Sequence, residues 1–176
     1  SIGSKGTRIF GLSVGVKQQD GTYKNVFVNC ITSLQTDIKE KTRYVLKGFM
    51  SGSFWKDKNG KDKSEPTFRV MEIAEAKEKE YVNTFEITGS AINVKKFGKN
   101  GQGFGLSVGV KQQDNTFKNV FISSVAHSDV ELKDKTRYEF KGFIGGDFYE
   151  VTVDGNKKEE AKVQFVVSEF KEEAKK

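Results

Sequence analysis

The chain has 176 residues, 35% hydrophobic and 31% charged, so its apolar material suffices for thin cores under a polar exterior and excludes one large core. A formal net charge of +6 favours a polyanionic partner, although 24 acidic residues are interspersed among 30 basic ones and no polybasic tail stands out. No apolar run is long enough for a membrane-spanning helix, no signal peptide is recognisable, and the single cysteine, Cys30, excludes an internal disulfide, so a reducing, cytoplasmic setting is expected.

The main organising feature is a repeat. FGLSVGVKQQD at Phe10 to Asp20 recurs unchanged at Phe104 to Asp114, KNVF at Lys24 recurs at Lys118, KTRY at Lys41 recurs at Lys135, and KGF at Lys47 recurs at Lys141. A period this long marks a duplicated domain rather than a solenoid, and it predicts two domains, residues 1–80 and 81–176.

In chain order, Leu12, Val14 and Val16 alternate with small or polar residues and predict a strand that ends at the turn Gln18-Gln19-Asp20-Gly21. A second strand is expected over Asn25 to Ile31, then a loop or one short helix over Thr32 to Glu40. Strand character returns over Arg43 to Trp55, with bends at Gly48 and Gly52. After a turn-rich stretch from Lys56 to Pro66, a last strand covers Thr67 to Ile73, and Lys77 to Glu80 reads as a linker. The second copy repeats this set, but past Trp55 and Tyr149 the copies drift by about three residues, which predicts a variable loop. The second copy also has a strand ahead of the set, Thr84 to Val94, followed by the glycine-rich loop Gly98 to Gly103. Five strands suit a small Greek-key barrel, so the expected class is all-β with two tandem barrels. The first copy lacks a counterpart of Thr84 to Val94. Its first strand is expected to be lost, reduced to a remnant around Ser1 to Ile2, or supplied by another segment or chain.

Strand alternation sorts side chains into two faces. Val26, Val28 and Cys30 share a core face, as do Tyr44, Leu46, Gly48 and Met50. Phe27 and Phe121 face the other way, with Lys47, Phe49 and Trp55 in the first copy and Lys141, Phe143 and Tyr149 in the second. An outward face of aromatic rings and ammonium groups suits a single-stranded nucleic acid, because rings stack on bases and cations meet phosphates. The same rings would also serve to complete a core or an interface. Lys17 and Lys111 flank the turn after the first strand of each copy, and Tyr23 and Phe117 sit near its tip, as in a grasping hairpin.

With these residues in place, the sequence resembles the bacterial and phage single-stranded DNA-binding proteins of the OB fold. Phe27-Val28-Asn29-Cys30 is similar to the family's "FINC" strand, and Phe121-Ile122-Ser123-Ser124 is a looser version. Gly48 to Trp55 is similar to its "G-x-L-x-T-R-x-W" strand, with Tyr149 in the tryptophan's place in the second copy. The resemblance implies OB barrels, stacking roles for Phe27 and Trp55, and single-stranded DNA as partner, with a role in replication or recombination. It departs from the family's single domain per chain and from its acidic, hydrophobic tail tip, since this chain ends Glu172-Glu173-Ala174-Lys175-Lys176. A monomer or homodimer is expected, with replication or recombination proteins as further partners.

No nucleophile motif, phosphate loop or metal spacing occurs, and His127 has no repeated counterpart, so no enzyme activity, cofactor or metal is expected. Two alternatives stay open at this stage: an OB-fold protein-interaction adaptor, and a binder of single-stranded RNA, which stacking alone does not distinguish from DNA.

Overall fold

Period-two alternation runs through nearly the whole sequence, and the computed structural model, which describes residues 6–174, contains nine strands and no helix among them. They are β1 (Arg8–Lys17), β2 (Tyr23–Thr32), β3 (Tyr44–Lys56), β4 (Asp62–Glu75), β5 (Phe85–Phe97), β6 (Gly101–Lys111), β7 (Phe117–His127), β8 (Thr136–Val153) and β9 (Asn156–Glu172). The last five close a barrel in the order β5-β6-β7-β9-β8, with β8 returning antiparallel to β5. The first four form a sheet in the order β1-β2-β4-β3, which is the order of β6, β7, β9 and β8 without an equivalent of β5. The fold is therefore all-β, a tandem pair of OB barrels of which the first lacks its own first strand among the described residues. The expected remnant around Ser1 to Ile2 lies outside them.

The chain divides into two compact units, whose limits fall between Asn83 and Thr84 and inside the β1-β2 and β6-β7 hairpins. One unit holds the described residues through Leu12 with Val28–Asn83 and Val110–Val120; the other holds Ser13–Phe27, Thr84–Gly109 and Phe121 onward. Within the first unit the core contains Cys30, Thr32, Val70 and Val120, and a Cβ placed on Gly52 would stand 2.4 Å from Val120 Cγ1. Burial pushes the Cys30 thiol up to about 12, so it remains protonated and behaves as a small apolar group. The second unit has a denser core. Leu106 and Phe140 are fully buried, Phe104 stacks on Phe140 with centroids 5.4 Å apart, and Phe85 stacks on Phe165 at 4.4 Å.

Bends fall where the glycines require them. The register of β3 on β4 shifts between Lys47 and Gly48, and that of β8 on β9 between Lys141 and Gly142. A Cβ at Gly48 would lie 1.9 Å from the Arg69 carbonyl oxygen, and one at Gly142 would lie 1.9 Å from that of Val166. Only glycine allows so close an approach of two backbones.

Two sequence expectations differ from the structure. The region after Tyr149 is not a loop: β8 and β9 continue as a two-stranded ribbon to Val153 and Asn156, closed by Asp154 (φ 50°) and Gly155 (φ 77°). Both central residues in the left-handed region make a tight turn whose twist matches the strands, so the extra residues lengthen a hairpin instead of widening a loop. The strand β4 likewise begins at Asp62, inside the stretch expected to be turns. Residues 33–43 form a loop without a helix. The Lys39 N–H donates to Tyr44 Oη at 3.0 Å, and Lys133 N–H donates to Tyr138 Oη at 2.9 Å in the second copy, so a tyrosine hydroxyl holds each loop.

The repeated hairpin turn is set by aspartate. Asp20 accepts from the Thr22 backbone N–H at 2.9 Å and from its hydroxyl at 2.6 Å, and Asp114 accepts from Thr116 at 3.0 and 2.6 Å. The left-handed position is Gly21 in one turn and Asn115 in the other. The threonine hydroxyl, and next the threonine N–H, lower both carboxyl pKa values. A lowered folded value means that the stabilisation is complete above the unfolded carboxylate pKa and is lost as pH falls through the folded one. A carbon-detected NMR titration is therefore expected to show Asp20 and Asp114 protonating below the ordinary aspartate range, with hairpin amides losing protection only there. Titration at the ordinary value would contradict it.

Candidate nucleic-acid interface

The outward faces of β3-β4 and β8-β9 are set by register, because directly paired residues share a face. In the first unit, Lys47 lies opposite Glu72, Phe49 opposite Arg69, Ser51 opposite Thr67, Ser53 opposite Glu65 and Trp55 opposite Lys63. Ile31 of β2 also pairs with Arg69, so Ile31, Arg69 and Phe49 form one row. Phe49 is 51% and Trp55 47% exposed. Each large ring is thus flanked across the strand by a cation. Asn29 Nδ2 donates to Glu65 Oε1 at 2.8 Å, which occupies one of the two carboxylates on this face.

In the second unit the corresponding rows are Lys141 with Glu169, Phe143 with Val166, Gly145 with Gln164, Asp147 with Lys162 and Tyr149 with Glu160. Phe121, Phe143 and Tyr149 are all exposed. The face carries Lys141 and Lys162 against Asp147, Glu160 and Glu169, so it is the more acidic of the two, whereas Lys47, Lys63 and Arg69 outnumber Glu65 and Glu72 in the first.

The remaining expected site residues are also at the surface. Tyr23 and Phe27 in the second unit and Phe117 in the first are each about two-thirds exposed, and Lys17 and Lys111 end their strands exposed. An open groove of about 480 Å³ runs beside Phe27 in the second unit, lined among others by Lys24, Phe148 and Lys158. Lys24 is paired there with Glu159 and lies over the Phe148 ring, 5.4 Å from its centroid. Lys118 repeats this over Phe54 in the first unit, at 5.5 Å.

The two lysines expected to hold phosphate are less available than the alternation suggested. Lys47 Nζ lies 3.5 Å from Glu72, and Lys141 Nζ lies 3.6 Å from Glu86. Both pairs are exposed and contribute little on their own, but each offsets a charge. Lys63 and Arg69 were not among the expected site residues, and Lys63 Nζ itself lies 3.9 Å from Asp57. Arg69 was readable from the alternation of Thr67 and Arg69 against Phe68 and Val70. Lys63 was hidden because its segment carries turn-forming residues.

Among the described residues no group of three or more His, Cys, Asp or Glu side chains is placed to hold a metal ion. No protein-family model matches the sequence, and no curated protein matches it. Solved structures do resemble it. The wild-type single-stranded DNA binding protein from Thermus aquaticus aligns with a TM-score of 0.57 at 13% identity, over 97% of this chain and 82% of that one. A deletion variant of the same protein gives a TM-score of 0.59 at 12% identity, over 97% and 83% of the two chains. This chain therefore has the fold of those single-stranded DNA-binding proteins.

Proposed function

We propose that this chain binds single-stranded DNA with little sequence preference, by stacking bases on exposed rings and neutralising phosphates with neighbouring cations. The observation that carries the reading is the face of β3 and β4, where the exposed Phe49 stands opposite Arg69 and the exposed Trp55 opposite Lys63. Rings recognise any base, and cations beside them meet the phosphates that follow. Phe27, Phe121, Phe143 and Tyr149 in the second unit, with Tyr23, Phe117, Lys17, Lys47, Lys111 and Lys141, complete the set of contact residues. Two binding domains, residues 1–80 and 81–176, would protect or organise single strands during replication or recombination, as a monomer or homodimer. The likeness to the Thermus aquaticus proteins supports the reading through their shared fold.

Fluorescence anisotropy of labelled oligo-dT, matched duplex and oligo-U at low and high salt tests it. Tight oligo-dT binding that weakens steeply with salt, with weaker duplex binding, is the expected result. Equal affinity for oligo-U would shift the assignment to RNA, and no binding to any of the three would leave the aromatic faces as protein-interaction surfaces.

A further inference from the structure

Two equivalent lysines stand over two equivalent rings, and only one of them has its charge answered. Lys24 and Lys118 open the same repeated sequence, KNVF, and each ammonium lies over a half-buried phenylalanine, Phe148 for Lys24 within the second unit and Phe54 for Lys118 within the first. A ring face attracts a cation and orders it without removing its charge. Lys24 is also paired with Glu159. Lys118 is exposed, and among the described residues no carboxylate lies within ion-pair distance of it. The two lysines act alike on the turn carboxylates Asp20 and Asp114, in each case as the weakest influence on the carboxyl, so the turns do not account for the difference.

Cross-strand register accounts for it. In β8-β9 Phe148 lies opposite Ala161, and two residues further on Glu150 lies opposite Glu159. Like charges directly opposed repel, and each carboxylate turns to a different lysine, Glu150 to Lys157 at 3.1 Å and Glu159 to Lys24. In β3-β4 Phe54 lies opposite Ser64, and the corresponding pair is Lys56 opposite Asp62. Those two attract, at 3.1 Å, so the carboxylate equivalent to Glu159 is held across its own strand pair. Glu150 in place of Lys56 thus sends one carboxylate onto Lys24, and Lys118 keeps its charge.

We propose that Lys118, ordered by Phe54, is a phosphate-binding residue of the first unit, and that Glu159 occupies Lys24 in the place a phosphate would take; this rests on the proposed binding of single-stranded DNA. Carboxylate and phosphate present the same anionic oxygens to an ammonium, so one excludes the other. Phe54 precedes Trp55 in β3 and its side chain lies on the opposite face, so the phosphate on Lys118 belongs to a nucleotide beyond the one stacked on Trp55.

Fluorescence anisotropy of labelled oligo-dT with the full chain, over a series of salt concentrations, tests both assignments. Lys118→Ala is expected to flatten the slope of log K on log salt by about 0.7, one phosphate contact on a single strand, and to weaken binding about fivefold at about 0.1 M salt. Lys118→Arg should keep the slope. Lys24→Ala should leave affinity and slope nearly unchanged. Glu159→Gln should steepen the slope by about 0.7, and should do nothing once Lys24 is replaced by alanine. An unchanged slope in Lys118→Ala, with oligo-dT still bound, would overturn the proposal and leave single-strand binding standing. So would an equal loss in Lys24→Ala, no gain from Glu159→Gln, or a gain that persists without Lys24, which marks net charge as its cause. Absence of oligo-dT binding by the unaltered chain would overturn both.

Discussion

Replacing Phe49 and Trp55 together by alanine is expected to weaken oligo-dT binding by about 30-fold to about 20,000-fold, the effect of removing two base-stacking rings at about 1–3 kcal/mol each. Both side chains are roughly half exposed, so little core is lost and the thermal unfolding midpoint should change little. That separation of binding from stability makes the result interpretable. The matching pair in the second unit, Phe143→Ala with Tyr149→Ala, should cost less, because Val166 and Glu160 stand across from those rings where Arg69 and Lys63 stand in the first. Stacking there has no cation directly across the strand to hold the following phosphate. Anisotropy titrations of the two double variants at one salt concentration measure the difference. Unchanged affinity in the Phe49 and Trp55 variant, with folding intact, would mean that nucleic acid does not use the β3-β4 face.

Leu106→Ala is expected to destabilise the second unit by about 2–5 kcal/mol, the usual cost of a fully buried leucine, whereas Leu12→Ala should cost about 1 kcal/mol in the first. The two leucines sit in the same eleven-residue sequence, so local propensity cancels in the comparison. What differs is cover. Leu106 is 0% exposed beneath β5, and Leu12 is half-buried at a sheet edge. Hydrogen exchange of amides in residues 121–127 and in residues 28–32 reports the two units separately, avoiding the assumption that they unfold together. Equal losses would show that the first sheet is as well covered as the barrel.

Much of the fold was legible because its determinants are local. The alternation in Val26, Val28 and Cys30 against Phe27 depends only on the two-residue period of a strand, and the structure buries Val26 and Cys30 while exposing Phe27. That the described residues of the first copy hold no counterpart of β5 followed from comparing the copies. Features that depend on distant neighbours were not legible. Val110–Val120 belongs to the unit that contains β3 and β4, and Ser13–Phe27 to the unit that contains β8 and β9. That assignment rests on contacts such as Val120 against Gly52 and Val26 against Gly146, which link positions far apart in sequence. The ribbon from Tyr149 to Glu160 was masked by its charge, because Glu150, Lys157, Lys158 and Glu159 give no apolar alternation to read. In the candidate site, the aromatic positions followed from strand period, but their charged neighbours needed cross-strand register. Without it, strand period points to Lys47, which Glu72 faces, and not to Lys63, which faces Trp55.

Trp55 is the only tryptophan in the chain, so its emission reports one position on the β3-β4 face without a label. Titration with oligo-dT and with matched duplex, at two salt concentrations, tests the single-strand stacking surface most directly. Strong quenching by oligo-dT that weakens with salt and is small with duplex is the expected result. Saturable oligo-dT binding in a parallel gel-shift assay, with the Trp55 emission unchanged, would contradict it.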